Sequence, residues 1–152
     1  MSSPYTPPPP PPSAPPPEAP GGKASIGMDA NVASMICYLT MICCGLGIIL
    51  SLVFFLIEKT SRLLKFHAMQ ALLYGGVWIV LGIVFRILRT LMYVGLGGEE
   101  AGLLLSFAVL GVQIVVALVL LAFLILAAIK AYQGQYYKLP ILGNIAWNIV
   151  NK

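Results

Sequence analysis

Charged residues are scarce in this 152-residue chain, where nine Lys and Arg and five Asp and Glu make up 9% of the sequence. Soluble globular domains carry about 25% charged residues. Hydrophobic residues reach 59%, and the mean hydropathy is +0.93. These values exclude an ordinary water-soluble domain. A basic stripe with interleaved aromatic residues is also missing, which excludes a nucleic-acid-binding surface.

Chemically active groups are equally few. The chain has one histidine and three cysteines, and its long apolar runs contain no Asp or Glu. A metal site needs several converging His, Cys or carboxylate ligands, and covalent catalysis needs a nucleophile beside a base. We therefore predict no catalytic residue, no metal site and no cofactor. The cysteines Cys37, Cys43 and Cys44 are interpreted as small apolar residues.

Proline is almost absent after residue 22, because eleven of the twelve prolines precede it. A segment so rich in proline forms no helix or sheet ladder and favours solvated polyproline II. Residues 1–27 are therefore predicted to be a disordered Pro-rich tail, either a spacer or a ligand for a proline-binding module. The tail has neither the basic start of a cleavable signal nor the Arg content of a transit peptide, which favours a prokaryotic plasma membrane.

The dominant feature of the chain is a set of three uncharged runs, at residues 30–57, 66–85 and 101–129. A bilayer core about 30 Å thick is crossed by ~20 apolar residues of helix at 1.5 Å rise per residue. We predict an all-α membrane domain over residues 28–152, with the lipid bilayer as its first partner. Its three transmembrane helices are expected at about 30–57, 66–93 and 102–130.

Lys and Arg are unevenly distributed around these spans. Six of the nine fall on the side that holds the loop after the first span and the C-terminus, and cytoplasmic loops carry the excess of basic residues. We therefore predict a cytoplasmic C-terminus and a tail on the opposite side. The six are Lys59, Arg62, Lys65, Lys130, Lys138 and Lys152, against Lys23, Arg86 and Arg89.

Small and weakly polar residues recur at helical spacing within the runs. In the first run they are Ala33, Cys37, Thr40, Cys44, Gly47 and Ser51, and in the second Ala68, Ala71, Gly75 and Gly82. In lipid such residues let helices approach closely, so the pattern favours a packed bundle. The alternative is an aqueous path faced by Thr40 and by Gln113, which is the one strongly polar side chain well inside a span.

Two short segments carry a family resemblance. The first reads Phe-His-Ala-Met-Gln-Ala-Leu at residues 66–72, and the second holds Gly134, Tyr137, Pro140 and Gly143, spaced three apart. Together they resemble a family of small prokaryotic membrane proteins of unknown function that is related to the twenty-kilodalton subunit of the chloroplast inner-envelope import translocon (Tic). The resemblance covers residues 31–150 and implies an integral membrane protein without enzymatic activity. For the plastid relative it implies four helices and a channel or scaffold role in protein import.

The polar pair of the first segment lies at the mouth of the second span. His67 and Gln70 are three residues apart, so they share one face of a helix. We expect them in the polar interface, where they bond lipid headgroups or the turn at residues 139–143. A structural hydrogen bond is the more ordinary role for such a histidine than a proton relay.

The C-terminal segment at residues 141–151 is too short to cross a bilayer. Asn144, Asn148 and Asn151 lie on one side of it, with apolar residues elsewhere. This pattern predicts a helix that lies in the membrane interface. The alternative is a helix that folds back to cap the bundle at His67 and Gln70.

These observations favour a noncatalytic integral membrane subunit or scaffold that associates with other membrane proteins or with itself. The family resemblance extends this to a protein-translocation-like assembly. The alternative from another class is an oligomeric channel or transporter for an unidentified solute.

Overall fold

A computed structural model describes residues 22–95 and 100–151, and every helix or strand within them is an α-helix, so the all-α prediction is confirmed for this part. The elements are α1 Ala30–Cys44, α2 Gly47–Ile57, α3 Arg62–Gly95, α4 Glu100–Tyr132 and α5 Leu142–Val150. The predicted disorder of residues 1–21 lies outside the described residues.

The first apolar run is two helices, so the prediction of one continuous span over residues 30–57 is wrong. Gly45 ends α1 with φ of 66°, a left-handed conformation that glycine adopts without steric cost. Beyond α2, the side chain of Glu58 accepts a hydrogen bond of 2.9 Å from the backbone N–H of Ser25, which precedes α1. A continuous helix over residues 30–57 would hold its two ends about 40 Å apart. Helices α1 and α2 therefore form a hairpin, with the turn at Gly45 and the open end at Ser25 and Glu58.

The two long helices, α3 and α4, are each long and apolar enough to cross a membrane. Only 17% of the most apolar window of each is buried within the chain, so most of that surface faces outward. Arg86 and Arg89 lie inside α3, not in a connecting loop. The described residues thus contain two helices of spanning length, where the sequence predicted three.

The residues just before α1 form a closed turn. The N–H of Ala24 donates to the carbonyl of Met28 at 2.8 Å, and the N–H of Ala30 donates to the carbonyl of Gly22 at 2.8 Å. Ala24 is buried. The prediction that disorder extends through residues 22–27 is therefore wrong, because this segment is held against the loop that contains Glu58.

Small residues line the contacts between helices near Glu58. Ala68 and Ala71, from the predicted small-residue seam of the second run, are fully buried in α3, and Ala127 and Ala131 are fully buried in α4. The predicted seam on α3 extends to Gly82, but the helix contacts do not reach that far, because a Cβ added to Gly82 would meet nothing within 4 Å. The core therefore lies where α1 and α4 pack on the first half of α3.

Beyond α4 the chain turns back. Residues 133–141, called the strap below, run across the start of α3, and α5 then packs against α3. The arrangement is the fold-back that the sequence left as an alternative. Asn144, Asn148 and Asn151 are all exposed.

Candidate functional site

A buried polar cluster lies where α1, the start of α3 and the strap meet. It consists of Tyr38 from α1 and of His67 and Gln70 from α3, all with no exposed surface. Their positions follow from the helices, because residues 67 and 70 share one face of α3 and that face packs against α1. Of the two partners predicted for His67 and Gln70, their burial leaves no surface for lipid headgroups.

The hydrogen bonds assign the proton on the imidazole. Nε2 of His67 lies 3.1 Å from the backbone carbonyl of Gln135, and a carbonyl only accepts, so this nitrogen carries the hydrogen. In the neutral imidazole Nδ1 is then the acceptor, and the hydroxyl of Tyr38 donates to it at 2.9 Å. Both ring nitrogens of His67 are therefore hydrogen-bonded within the chain.

Gln70 completes the cluster. Its amide nitrogen donates to the hydroxyl oxygen of Tyr38 at 3.2 Å and to the carbonyl of Tyr137 at 3.1 Å. Its amide oxygen accepts a bond of 3.4 Å from the N–H of Leu139. All three side chains therefore have their donors and acceptors paired, and three of the bonds hold the strap. The predicted contact with residues 139–143 is met at Leu139, while the other two bonds fall at residues 135 and 137.

Aromatic side chains extend the cluster to α5. The ring of Phe66 packs edge-on against His67, Tyr136 and Trp147, with centroids 5.1, 5.5 and 5.8 Å away. The ammonium of Lys138 lies 4.2 Å from the centroid of Trp147, within the range of a cation–π contact. The strap and α5 are thus held to α3 by both polar and aromatic contacts.

The glycines and the proline of the second sequence segment shape the strap. Gly134 follows the end of α4 with φ of 72°. At Gly143 an added Cβ would lie 2.5 Å from the Cα of Lys138, so only glycine fits. Pro140 is exposed and precedes Ile141, whose φ of 66° is rare for a β-branched residue. These residues position the strap and do not themselves form a reactive site.

Gln113 is the one predicted site residue that lies far from both the cluster and the strap. It is half-buried in α4, about 30 Å along the helix from the strap. Thr40, its suggested companion along a path, instead donates its hydroxyl to the carbonyl of Ile36 at 2.8 Å. Among residues 22–95 and 100–151, no three His, Cys, Asp or Glu side chains converge as a metal site would require.

Tyr38 is the cluster residue that the sequence did not indicate. It lies in the middle of an uncharged run and one position from the small-residue seam at Cys37. An aromatic residue there reads as part of the apolar core, and nothing local marks its hydroxyl as the link between His67 and Gln70. Only the packing of α1 on α3 reveals that role.

A second polar site, built around Glu58, closes the α1–α2 hairpin. Its carboxylate accepts hydrogen bonds from Ser25, from both the N–H and the hydroxyl of Thr60, and from the N–H of Ser61. Burial raises the pKa of Glu58, but these donors stabilise the ionised form by more, so the net pKa lies below its usual value of 4.5. The sequence indicated Glu58 only as the end of a span.

The chain matches a family model described as the magnetosome magnetite crystal formation protein family over residues 29–147, from the start of α1 into α5. A UPF0132 membrane protein of Methanocaldococcus jannaschii is 35% identical over 126 residues, which is 82% of this chain and 92% of that protein. A UPF0132 membrane protein of Archaeoglobus fulgidus is 32% identical over 123 residues, which is 78% of this chain and 93% of the relative. No solved structure matches the chain.

Proposed function

The chain belongs to the magnetosome magnetite crystal formation protein family, and from this membership and the buried polar cluster we propose that it is a noncatalytic integral membrane subunit or scaffold. Its partners are other membrane proteins or further copies of itself. The M. jannaschii and A. fulgidus relatives are named as membrane proteins, and the lengths of α3 and α4 agree with that name.

The observation that carries the proposal is the pairing inside the cluster. His67, Gln70 and Tyr38 carry polar groups that could take part in chemistry, but each side chain is fully buried. Each is hydrogen-bonded to another member of the cluster or to the strap. A general base needs a free lone pair within reach of a substrate. Here the same groups hold α1, α3 and the strap together, which is an architectural role.

The surface suited to partners lies on the long helices. Large apolar side chains of α3 and α4 face outward beyond the α1–α2 hairpin, among them Ile83, Leu91, Leu104 and Val115, each more than half exposed. In lipid this surface packs against acyl chains or against another apolar helix without loss of burial. A rigid core with two protruding helices suits a subunit that holds neighbours in place.

With α1 and α2 as a hairpin, we propose that the start of the described chain lies on the same side as the C-terminus, not opposite to it as the sequence predicted. Lys23 lies two residues from Ser25, which contacts Glu58, so Lys23 moves to the side that holds Lys59. The basic residues then divide seven against two, since the six of that side gain Lys23 and only Arg86 and Arg89 remain opposite. The bias favours placing this side, with the C-terminus, in the cytoplasm of a prokaryotic cell.

The finer form of the proposal is an assembly like those that translocate proteins. It is supported by the resemblance to the translocon-related family of residues 66–72 and of the segment that holds Gly134, Tyr137, Pro140 and Gly143. The mineral role in the description of the matched family is not extended to this chain, since no three metal-binding side chains converge within its described part.

Affinity purification from native membranes in a mild detergent, followed by mass spectrometry, tests the proposal. A scaffold should copurify with membrane proteins in fixed ratio, or elute at a multiple of its own mass of 16.3 kDa. The variant Leu118→Ile, a volume-conserving change on the outer surface, should retain the same partners.

The contrary result is a protein that elutes alone and conducts a solute when reconstituted in liposomes. Loss of that flux in Gln113→Leu, with Leu118→Ile still active, would establish the channel alternative. Loss of flux in His67→Ala with the strap still docked would instead indicate a proton relay.

A further inference from the structure

The α1–α2 hairpin is shorter than the membrane it enters. Helix α1 has 15 residues and α2 has 11, which correspond to about 22 and 16 Å. Between Lys65 and Arg86, α3 has 20 uncharged residues, or about 30 Å, which equals the thickness of the hydrocarbon core. The hairpin therefore ends inside the bilayer, and α3 and α4 continue without it.

A cavity of about 580 Å³ lies at the tip of the hairpin, between the turn at Gly45 and the middle of α3 and α4. On α3 its lining runs from Tyr74 to Ile79. Tyr74 is about 14 Å along the helix from Lys65, and Ile79 is about 10 Å from Arg86. Both ends of the lining thus lie well inside the hydrocarbon core, and the cavity sits near the bilayer midplane.

The wall of the cavity is apolar. It is formed mainly by aliphatic side chains, including Met41, Ile48, Ile114, Ala117, Leu121 and Leu124. Two aromatic side chains in the wall carry polar groups, and these are hydrogen-bonded to each other: Nε1 of Trp78 donates to the hydroxyl of Tyr74 at 2.8 Å. Within the part of the chain that the structure describes, no charged side chain lines it. Such a wall accommodates hydrocarbon and disfavours water or ions.

The rim of the cavity is continuous with the lipid-facing surface. Ile42, Ile79 and Leu118 line the cavity and are also 48, 53 and 60% exposed. Beyond the hairpin tip at Gly45, α3 and α4 continue alone toward the leaflet opposite Glu58, so nothing in the described chain separates the cavity from that leaflet. In a bilayer the molecules that reach this depth from that side are the ends of acyl chains.

We propose that this cavity binds one acyl chain of a phospholipid from the leaflet opposite Glu58. A volume of 580 Å³ falls within the range of small-molecule sites, about 300–1,000 Å³. A helix of a second copy, about 10 Å wide, would fit little more than one turn into it. A single flexible chain fills such a space more completely than a helix does. The proposal depends on membrane insertion and not on the scaffold role.

Quenching of Trp78 by brominated lipid tests the proposal. In a Trp147→Phe background Trp78 is the one remaining tryptophan. Phosphatidylcholine brominated near the chain end, titrated into the detergent-solubilised protein, should quench Trp78 and saturate at roughly one lipid per protein. The variant Ala117→Phe fills the cavity and should need roughly tenfold more lipid, a loss of about 1.4 kcal/mol of binding.

The matched control is Ala122→Phe, an exposed position on the same helix, which should titrate like the parent. Equal, non-saturating quenching in all three proteins would refute a specific site, since it would reflect general contact with lipid. Absence of quenching together with a mass of two copies would show that a second chain covers the cavity and would also overturn the proposal.

Discussion

His67 shows how a residue typical of proton chemistry becomes a structural link. Both of its nitrogens are bonded, one to the hydroxyl of Tyr38 and one to the carbonyl of Gln135. The bond to Tyr38 is the costlier one to lose, because Tyr38 has no exposed surface and its hydroxyl would find no water as a new acceptor. The same reasoning applies to Glu58, whose carboxylate gathers donors from both ends of the hairpin.

The first residue-scale prediction concerns His67→Ala. It removes the acceptor of the fully buried Tyr38 hydroxyl, at about 1–3 kcal/mol for an unsatisfied buried donor, and one of the two donors to the carbonyl of Gln135. The strap and α5 should detach while α3 and α4 remain inserted. Hydrogen exchange of residues 141–150 should become faster in the variant. Asn148→Ala, at an exposed position, is the control, and unchanged protection in His67→Ala would rule out the anchoring role.

The second residue-scale prediction is a pH dependence that comes from Glu58. Its pKa in the folded protein is lowered from the usual 4.5, so its stabilising effect is complete above that value and is lost as the pH falls through the folded pKa. Thermal unfolding in detergent should therefore weaken below about pH 4.5 in the wild type. The Glu58→Gln variant should be less stable than the wild type at neutral pH, and its stability should change less with pH below about 4.5. Glu100→Gln, outside the hairpin, should follow the wild type, and a Glu58→Gln curve parallel to the wild type would refute the assignment.

At the scale of elements, the α1–α2 hairpin depends on how closely its two helices approach. A Cβ added to Gly47 would lie 2.5 Å from the backbone nitrogen of Met41. Backbone cannot move aside as a flexible side chain can, so this contact admits only glycine. Gly45, which ends α1, contributes the left-handed residue that reverses the chain.

Substitution of Gly47 by leucine should therefore destabilise the protein by roughly 1–3 kcal/mol through overpacking. The matched change Gly76→Leu is at an exposed helical glycine where an added Cβ meets nothing within 4 Å. It should be neutral or stabilising by up to about 1 kcal/mol, because leucine favours helix over glycine. Thermal unfolding of both variants in the same detergent measures the difference. Equal stability would mean that α1 and α2 do not pack as described.

At the scale of the whole molecule, the structure is uneven across the membrane. On the side of Glu58 four helices, the strap and α5 form a core with buried polar groups. On the other side α3 and α4 continue alone, with exposed apolar side chains. The first side is held together by packing and buried hydrogen bonds, and the second exposes apolar surface to lipid or to another protein.

This architecture predicts which positions share a side of the membrane. With the native cysteines replaced, Lys23→Cys, Lys59→Cys and Asn151→Cys should react with an impermeant thiol reagent from one side, and Tyr93→Cys from the other. The physical reason is that the α1–α2 hairpin returns to its starting side, while α3 and α4 are each long enough to cross once. Labelling of Lys23→Cys and Lys59→Cys from opposite sides would instead restore the continuous span over residues 30–57.

The sequence by itself determined that this is an all-α membrane protein, because the length and apolarity of a run are local and additive properties. It also determined that His67 and Gln70 share a helical face, since that follows from helical spacing. Tertiary structure alone decided that the first run is a hairpin, because one left-handed glycine and a contact across 33 residues reverse the chain without changing its hydropathy. It likewise recruited Tyr38 and folded α5 back onto α3, because hydrogen-bond partners distant in sequence are chosen by packing and leave no local pattern.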